Sequence, residues 1–317
     1  MTSKGRSMPT PPVPATRRRL RTEPRLAPYL FSAPAVVLYA AFTLVPIGYA
    51  VWLSFHALRQ RGGGILGPRV EVFVGFENYA AVLADPELVA GFGRLAVYGL
   101  IAVPLTLGLA LLFALLLDAP AARATRFART AIFVPYAVPG VVAALLWGFM
   151  YLPSTSPFSY LTKAAGLGPV PFLTNPGLFG SMANIAIWGG VGFNMIIIYT
   201  ALRGIPPELC QSARLDGASE VQIALRIKIP LVRPALLLTA IFSLIGTLQV
   251  YGEPTTLRPL SSAITQTWAP LMTIYRDAFL TDDLARAAAS STLLALGTVV
   301  VSAIVPAVSN RRMRAVR

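Results

Sequence analysis

Residues 206–234 read PPELCQSARLDGASEVQIALRIKIPLVRP, a charged interruption in an otherwise apolar chain. The stretch carries Glu208, Arg214, Asp216, Glu220, Arg226, Lys228 and Arg233 between two hydrophobic runs. Pro206 and Pro207 suit the first turn of a helix, which needs no N–H from proline. Glu208 then favours the positive end of the helix dipole. Gly217 stops that helix near Leu215, because glycine takes the left-handed cap conformation at little cost. Ser219 and Gln222 have capping-box spacing for a second helix, which Pro230 and Pro234 are expected to end. The pattern predicts two short helices joined by a tight turn. A solvated loop needs no paired start and stop signals. A DNA-binding helix-turn-helix fits poorly into about 30 residues linking two membrane spans (each of about 20 residues). A docking element for a cytoplasmic partner accounts for both the order and the position.

The surroundings support a membrane setting. Of 317 residues 55% are apolar and 13% charged, against about 25% charged in soluble domains, and the mean hydropathy is +0.65. Intervals poor in Asp, Glu, Lys and Arg predict six spans at 30–55, 94–117, 130–152, 178–202, 234–254 and 287–309, each near the ~20 apolar residues a bilayer requires. The expected fold class is therefore all-α, a polytopic membrane protein with six transmembrane helices. The membrane domain covers 29–310, with the cytoplasmic element at 206–230 inside it. Basic tails occupy 1–28, expected to be disordered, and 311–317. Residues 164–177 are rich in Gly and Pro and read as a loop, as does 259–275 with some short helix. The basic cluster before the first apolar run has no small-x-small cleavage site after it, so an uncleaved span is expected rather than a signal peptide.

The charge distribution sets the orientation. One face, made of the N-terminal tail, 118–129, 203–233 and the C-terminal tail, holds nineteen Lys and Arg against five Asp and Glu. The other face holds eight of each. The positive-inside rule makes the first face cytoplasmic, with both termini there. The net charge of +14 is thus topology, and a nucleic-acid partner is not implied.

Several chemistries lack their residues. The one cysteine, Cys210, and the one histidine, His56, form no disulfide and no Cys/His metal cluster. Cys210 reads as a packing residue and His56 as an interfacial one. No P-loop is present. The cytoplasmic acids Glu23, Asp118, Glu208, Asp216 and Glu220 show no catalytic spacing, so an enzyme is not expected. No ionisable group lies deep in any predicted span, which argues against a proton-driven carrier. Trp188, Asn194, Gln249 and Tyr251 are candidates to line a path for a polar, uncharged solute. Their plain reading is interhelical bonding, worth about 0.6 kcal/mol on average.

The stretch QSARLDGASEVQIALRIKIP, 211–230, resembles the coupling loop of binding-protein-dependent ABC importer permeases. Gln211, Ser212 and Ala213 align with its Glu-Ala-Ala, Gly217 with its glycine, and Ile227, Ile229 and Pro230 with its tail. Asp216, Gly217 and Ala218 resemble the sugar-importer branch. The departures are Gln211 for Glu, which removes any ion pair there, and Ser212 for Ala. FVGFENYAAVLADPEL at 73–88, TAIFVPYAVPGVVAALLWGFMY at 130–151 and LQVYGEPTTL at 248–257 resemble other segments of maltose-, glycerol-phosphate- and oligosaccharide-type members. The resemblance implies a type I ABC importer permease fold in a bacterial cell membrane. It also implies a second homologous permease, a cytoplasmic ATPase dimer that binds ATP and Mg, an extracytoplasmic solute-binding protein and a sugar substrate. Gln211, Ser212, Ala213, Asp216, Gly217, Ala218, Ile227 and Pro230 would face or support the ATPase. The competing reading is a self-sufficient secondary transporter or channel.

Overall fold

A computed structural model describes residues 27–60, 69–168 and 170–314. The expected tail at 1–28 falls almost wholly outside them.

The first apolar run forms α1 (Ala27–Tyr39) and α2 (Val45–Ser54), joined by a π turn at Ala40–Leu44. The turn sits just before Pro46, whose missing N–H breaks the regular ladder, and one wider turn absorbs the mismatch. From Tyr29 to Ser54 the helix is 26 residues long, enough to span a bilayer.

A two-stranded antiparallel hairpin follows, β1 (His56–Gln60) and β2 (Arg69–Phe73), with His56 opposite Phe73. It is a small addition to a fold that is helical elsewhere among the described residues, as the all-α expectation holds. Asn78 on α3 (Glu77–Leu83) holds the hairpin base by donating to the Ser54 and His56 carbonyls at 2.8 and 2.9 Å. Tyr79 shares a 2.6 Å hydrogen bond with Ser54. The imidazole of His56 stacks on Trp52 at 3.9 Å, and its Nδ1 lies 2.8 Å from the Trp52 carbonyl.

The centre is a pair of long helices, α4 (Pro86–Asp118) and, further along, α8 (Gly177–Arg203). Asp85 caps α4 through the Glu87 N–H at 2.9 Å, with Pro86 in the first turn. Its buried stripe, Leu95, Tyr98, Ala102, Thr106, Ala110 and Ala114, recurs every three or four residues, as one helix face requires. The alanines let α8 approach closely, and Met182, Ile185, Met195, Ile198 and Leu202 of α8 complete two apolar clusters along the contact. Helix α4 begins eight residues before the expected span. It carries Arg94, which donates to the carbonyls of Thr267 and Trp268 at 2.7 and 2.8 Å.

The expected single span at 130–152 is instead two helices, α5 (Thr125–Phe133), extended by a 3-10 turn to Ala137, and α6 (Gly140–Tyr151), set at 95° to each other. Pro135 and Pro139 cause the break. Neither supplies an N–H, and Val138, the residue before Pro139, is extended at φ −77° and ψ 126°. The elbow presses its backbone onto Gly192 of α8, where an added Cβ would meet Phe133 Cα at 2.7 Å. Gly192→Val is therefore expected to cost about 1–3 kcal/mol, read as a lower melting temperature in detergent. An unchanged melt would contradict the contact.

After α7 (Pro157–Ala164) and α8 come α9 (Pro207–Leu215), α10 (Glu220–Ile223), α11 (Ile229–Leu231) and α12 (Arg233–Leu248). Helix α12 ends six residues before the expected 254 and is bent by 69° from the helical run before it. The chain then unwinds through 249–251 into α13 (Gly252–Leu257), a 3-10 turn at Arg258–Leu260, α14 (Pro270–Phe279) and α15 (Leu284–Arg314). Arg286 pairs with Asp85 and Asp277, and Arg276 with Asp277 and Glu87. These pairs fasten the start of α4 to α14 and α15. By length and apolarity four helices among the described residues can cross a membrane, and each bent pair counted as one span brings the number to six.

Candidate functional site

The element at 207–231 is ordered by local chemistry at each joint. Helix α9 closes in a Schellman cap, with Ala218 N–H donating to Ala213 O at 2.9 Å and Gly217 N–H to Arg214 O at 3.0 Å. Gly217 has φ +81°, which glycine alone adopts freely. A full capping box starts α10. Gln222 N–H donates to Ser219 Oγ, and Ser219 N–H to Gln222 Oε1 at 2.8 Å. Arg214 spans the turn to Glu220 at 2.6 Å. That hydrogen bond holds the Glu220 carboxyl below its ordinary range. Loss of the box in Ser219→Ala is expected to cost about 1 kcal/mol, measured as earlier thermal unfolding. An unaltered midpoint would deny the cap its role.

Pro230 does not end the second helix. A π turn at Ala224–Lys228 precedes it, and the helix continues to Leu231. The spacing repeats that of the first span, where the π turn also ends two residues before proline. The break comes at Val232, and Pro234 sits in the first turn of α12.

One face of the element is anchored. Cys210, Ile223 and Lys228 are buried. Lys228 Nζ lies 2.7 Å from Asp118 Oδ2 at the end of α4, and the two side chains are 8% and 10% exposed. Arg203 stands 3.8 Å from the same carboxylate. The other face is open and partly apolar. Leu215 is 89% exposed, and Val221 and Leu225 are also exposed. Gln211, Ser212, Asp216 and Gly217 lie exposed beside them, with Ala213 and Ala218 half-buried. Ile227 and Pro230 are half-buried at the foot of the element. The Asp118–Lys228 pair had no local signal in the sequence, since 110 residues separate its members.

A cavity of about 440 Å³ lies among α4, the elbow, α6, α8, α12 and α13. Its polar lining includes Thr106, Asn194, Ser243, Thr247 and Glu253, with Tyr136 and Phe193 stacked at 4.9 Å beside them. Of the four pathway candidates only Asn194 lines it. Asn194 Nδ2 donates to Gly190 O at 2.9 Å, and its Oδ1 has no partner among the described residues. Trp188 packs edge-on against Trp147 at 6.0 Å. Tyr251 stands 5.6 Å from Tyr275, and Gln249 lines a separate cavity of about 510 Å³ beside Leu294. Among the described residues no three His, Cys, Asp or Glu side chains gather as a metal site.

Residues 106–314 match the family model described as binding-protein-dependent transport system inner membrane component. The chain belongs to this family. The matched part of this inner membrane component includes the elbow, α8, the 207–231 element and α15, while the hairpin precedes it. Over 274 residues it is 28% identical to the sn-glycerol-3-phosphate transport system permease protein UgpA of Brucella suis, covering 85% of this chain and 90% of that one. UgpA of Salmonella typhimurium is 28% identical over 282 residues, with 85% and 89% covered. A solved bacterial ABC transporter involved in the import of the acidic polysaccharide alginate superposes with a TM-score of 0.75, at 21% identity over 90% of this permease and 95% of that chain. That likeness shows the fold, which is the type I ABC importer permease fold implied by the resemblance.

Proposed function

We propose that this inner membrane component is a permease subunit of an ATP-driven importer. It moves a sugar or oligosaccharide handed over by an extracytoplasmic solute-binding protein. The observation that carries the reading is the 207–231 element, with an exposed face of Gln211, Ser212 and Leu215 and a foot locked to the end of α4 by Lys228 and Asp118. A cytoplasmic ATPase dimer docks on that face and on the matching face of a second, homologous permease. ATP and Mg bind the ATPase, and this chain carries out no catalysis. Closure of the ATPase dimer moves the element as a unit, because the turn between α9 and α10 is capped on both sides and Lys228 fixes its foot. The connected helices α8 and α12 then shift about the central cavity, giving alternating access. Both termini face the cytoplasm, in accord with the charge asymmetry.

Hydroxyl, amide and aromatic groups of the cavity suit a sugar, and the names of the relatives point to glycerol phosphate and a polysaccharide. The test is reconstitution in vesicles. Uptake is expected only with the second permease, the ATPase, the binding protein and ATP together. Uptake by this chain alone would replace the reading with a secondary transporter or channel.

A further inference from the structure

Among the described residues, Glu253 is the one charged residue that lines the central cavity. It is half-buried in the first turn of α13, beyond the unwound segment 249–251. Among the described residues no Lys or Arg forms an ion pair with it. The rest of the polar lining consists of hydroxyls and one amide, with Thr106, Ser243, Thr247 and the unpartnered Oδ1 of Asn194. An anionic solute would enter this space without a counter-charge from the described residues and beside a carboxylate. A like charge a few ångströms away in a half-buried site lowers affinity roughly 100-fold. A neutral sugar meets the opposite situation. Its hydroxyls donate to the carboxylate in charge-assisted bonds, and its C–H faces lie against Tyr136 and Phe193.

We infer that the pathway of this permease takes a saccharide without negative charge, and that Glu253 is the residue that binds its hydroxyls and turns anionic sugars away. The inference rests on the importer reading above and narrows it. It also separates this chain from relatives whose names carry glycerol phosphate and an acidic polysaccharide.

The test begins with the cargo, identified by mass spectrometry as the solute that wild-type cells accumulate and cells lacking this permease do not. A neutral or ammonium-bearing saccharide is expected. An anionic saccharide overturns the inference and leaves the importer reading intact, whereas a cargo that is no saccharide overturns the sugar assignment itself. Binding of the labelled cargo is then measured on the purified permease–ATPase complex without the binding protein, so that only the membrane site selects. The 6-phosphate or uronate form of the cargo should compete roughly 100-fold less well than the cargo itself. Glu253→Gln should weaken the cargo about tenfold and bring the anionic form to near parity, with Glu253→Asp intermediate. Equal competition by the anionic form in the wild-type complex, or a Glu253→Gln complex with unchanged selectivity, overturns the assignment.

Discussion

Gly217→Pro is expected to reduce uptake at least about 100-fold while the chain still inserts and assembles. Proline is fixed near φ −65°, and Gly217 stands at +81°. The substitution also removes the N–H that donates to Arg214 O at 3.0 Å. A mismatch of about 3 kcal/mol at the joint corresponds to roughly two orders of magnitude in the population of the docked geometry. The ATPase should continue to hydrolyse ATP without cargo, because its own site is untouched and only the handle is lost. Gly217→Ala supplies the graded control, since a left-handed alanine costs about 1–2 kcal/mol. Uptake and coupling at the wild-type level in Gly217→Pro would remove the turn from the mechanism.

The second large effect belongs to Asp118. Its carboxylate is the close partner of a Lys228 ammonium that is only 8% exposed. Removing one member of a buried pair leaves an uncompensated charge and costs about 3–5 kcal/mol. Asp118→Ala should therefore melt well below the wild type in detergent. Asp118→Leu with Lys228→Met should recover most of the loss, because an apolar replacement of both members is often neutral or better. If the pair also transmits motion, the double variant will be stable yet poorly coupled, with more ATP hydrolysed per solute moved. A double variant as unstable as Asp118→Ala would show that the pair itself is not the cause.

Much of the 207–231 element was legible because its signals are local. Pro207, Gly217, Ser219 and Gln222 each act within one turn of where they stand: Pro207 opens α9, Gly217 closes it, and Ser219 with Gln222 caps α10. Pro230 misled for an equally local reason. A wider helical turn two residues upstream accommodates it, and no residue type announces a π turn. The 130–152 interval looked like one span because the absence of charge carries no information on direction. The prolines at 135 and 139 that bend it were in plain view, but a proline in a membrane helix can also be tolerated as a kink. The hairpin is five residues on each side, too short to stand out against an apolar background.

The cavity was the least legible part. Gln249 and Tyr251 fit a pathway by chemical type only on a helix that runs to residue 254, whereas Trp188 sits on α8 as expected and packs against Trp147. Helix α12 stops at Leu248, so the residues after it point by the course of an unwound segment rather than by helical rotation. Glu253 follows the same unwound segment, so no spacing in the sequence announces that it lines the cavity. Lys228 and Asp118 meet only because α4 and the element share one end of the bundle, a fact that no spacing in the chain encodes.

The central claim is that the 207–231 element is the surface on which the ATPase docks. A photo-crosslinking residue placed at Gln211, and separately at Leu215, tests it in the assembled transporter, with Phe279 of α14 as the control on the opposite face by charge count. The account predicts adducts to the ATPase subunit from Gln211 and Leu215 and none from Phe279. Adducts from Gln211 to the extracytoplasmic binding protein, or an ATPase adduct from Phe279 alone, would contradict it.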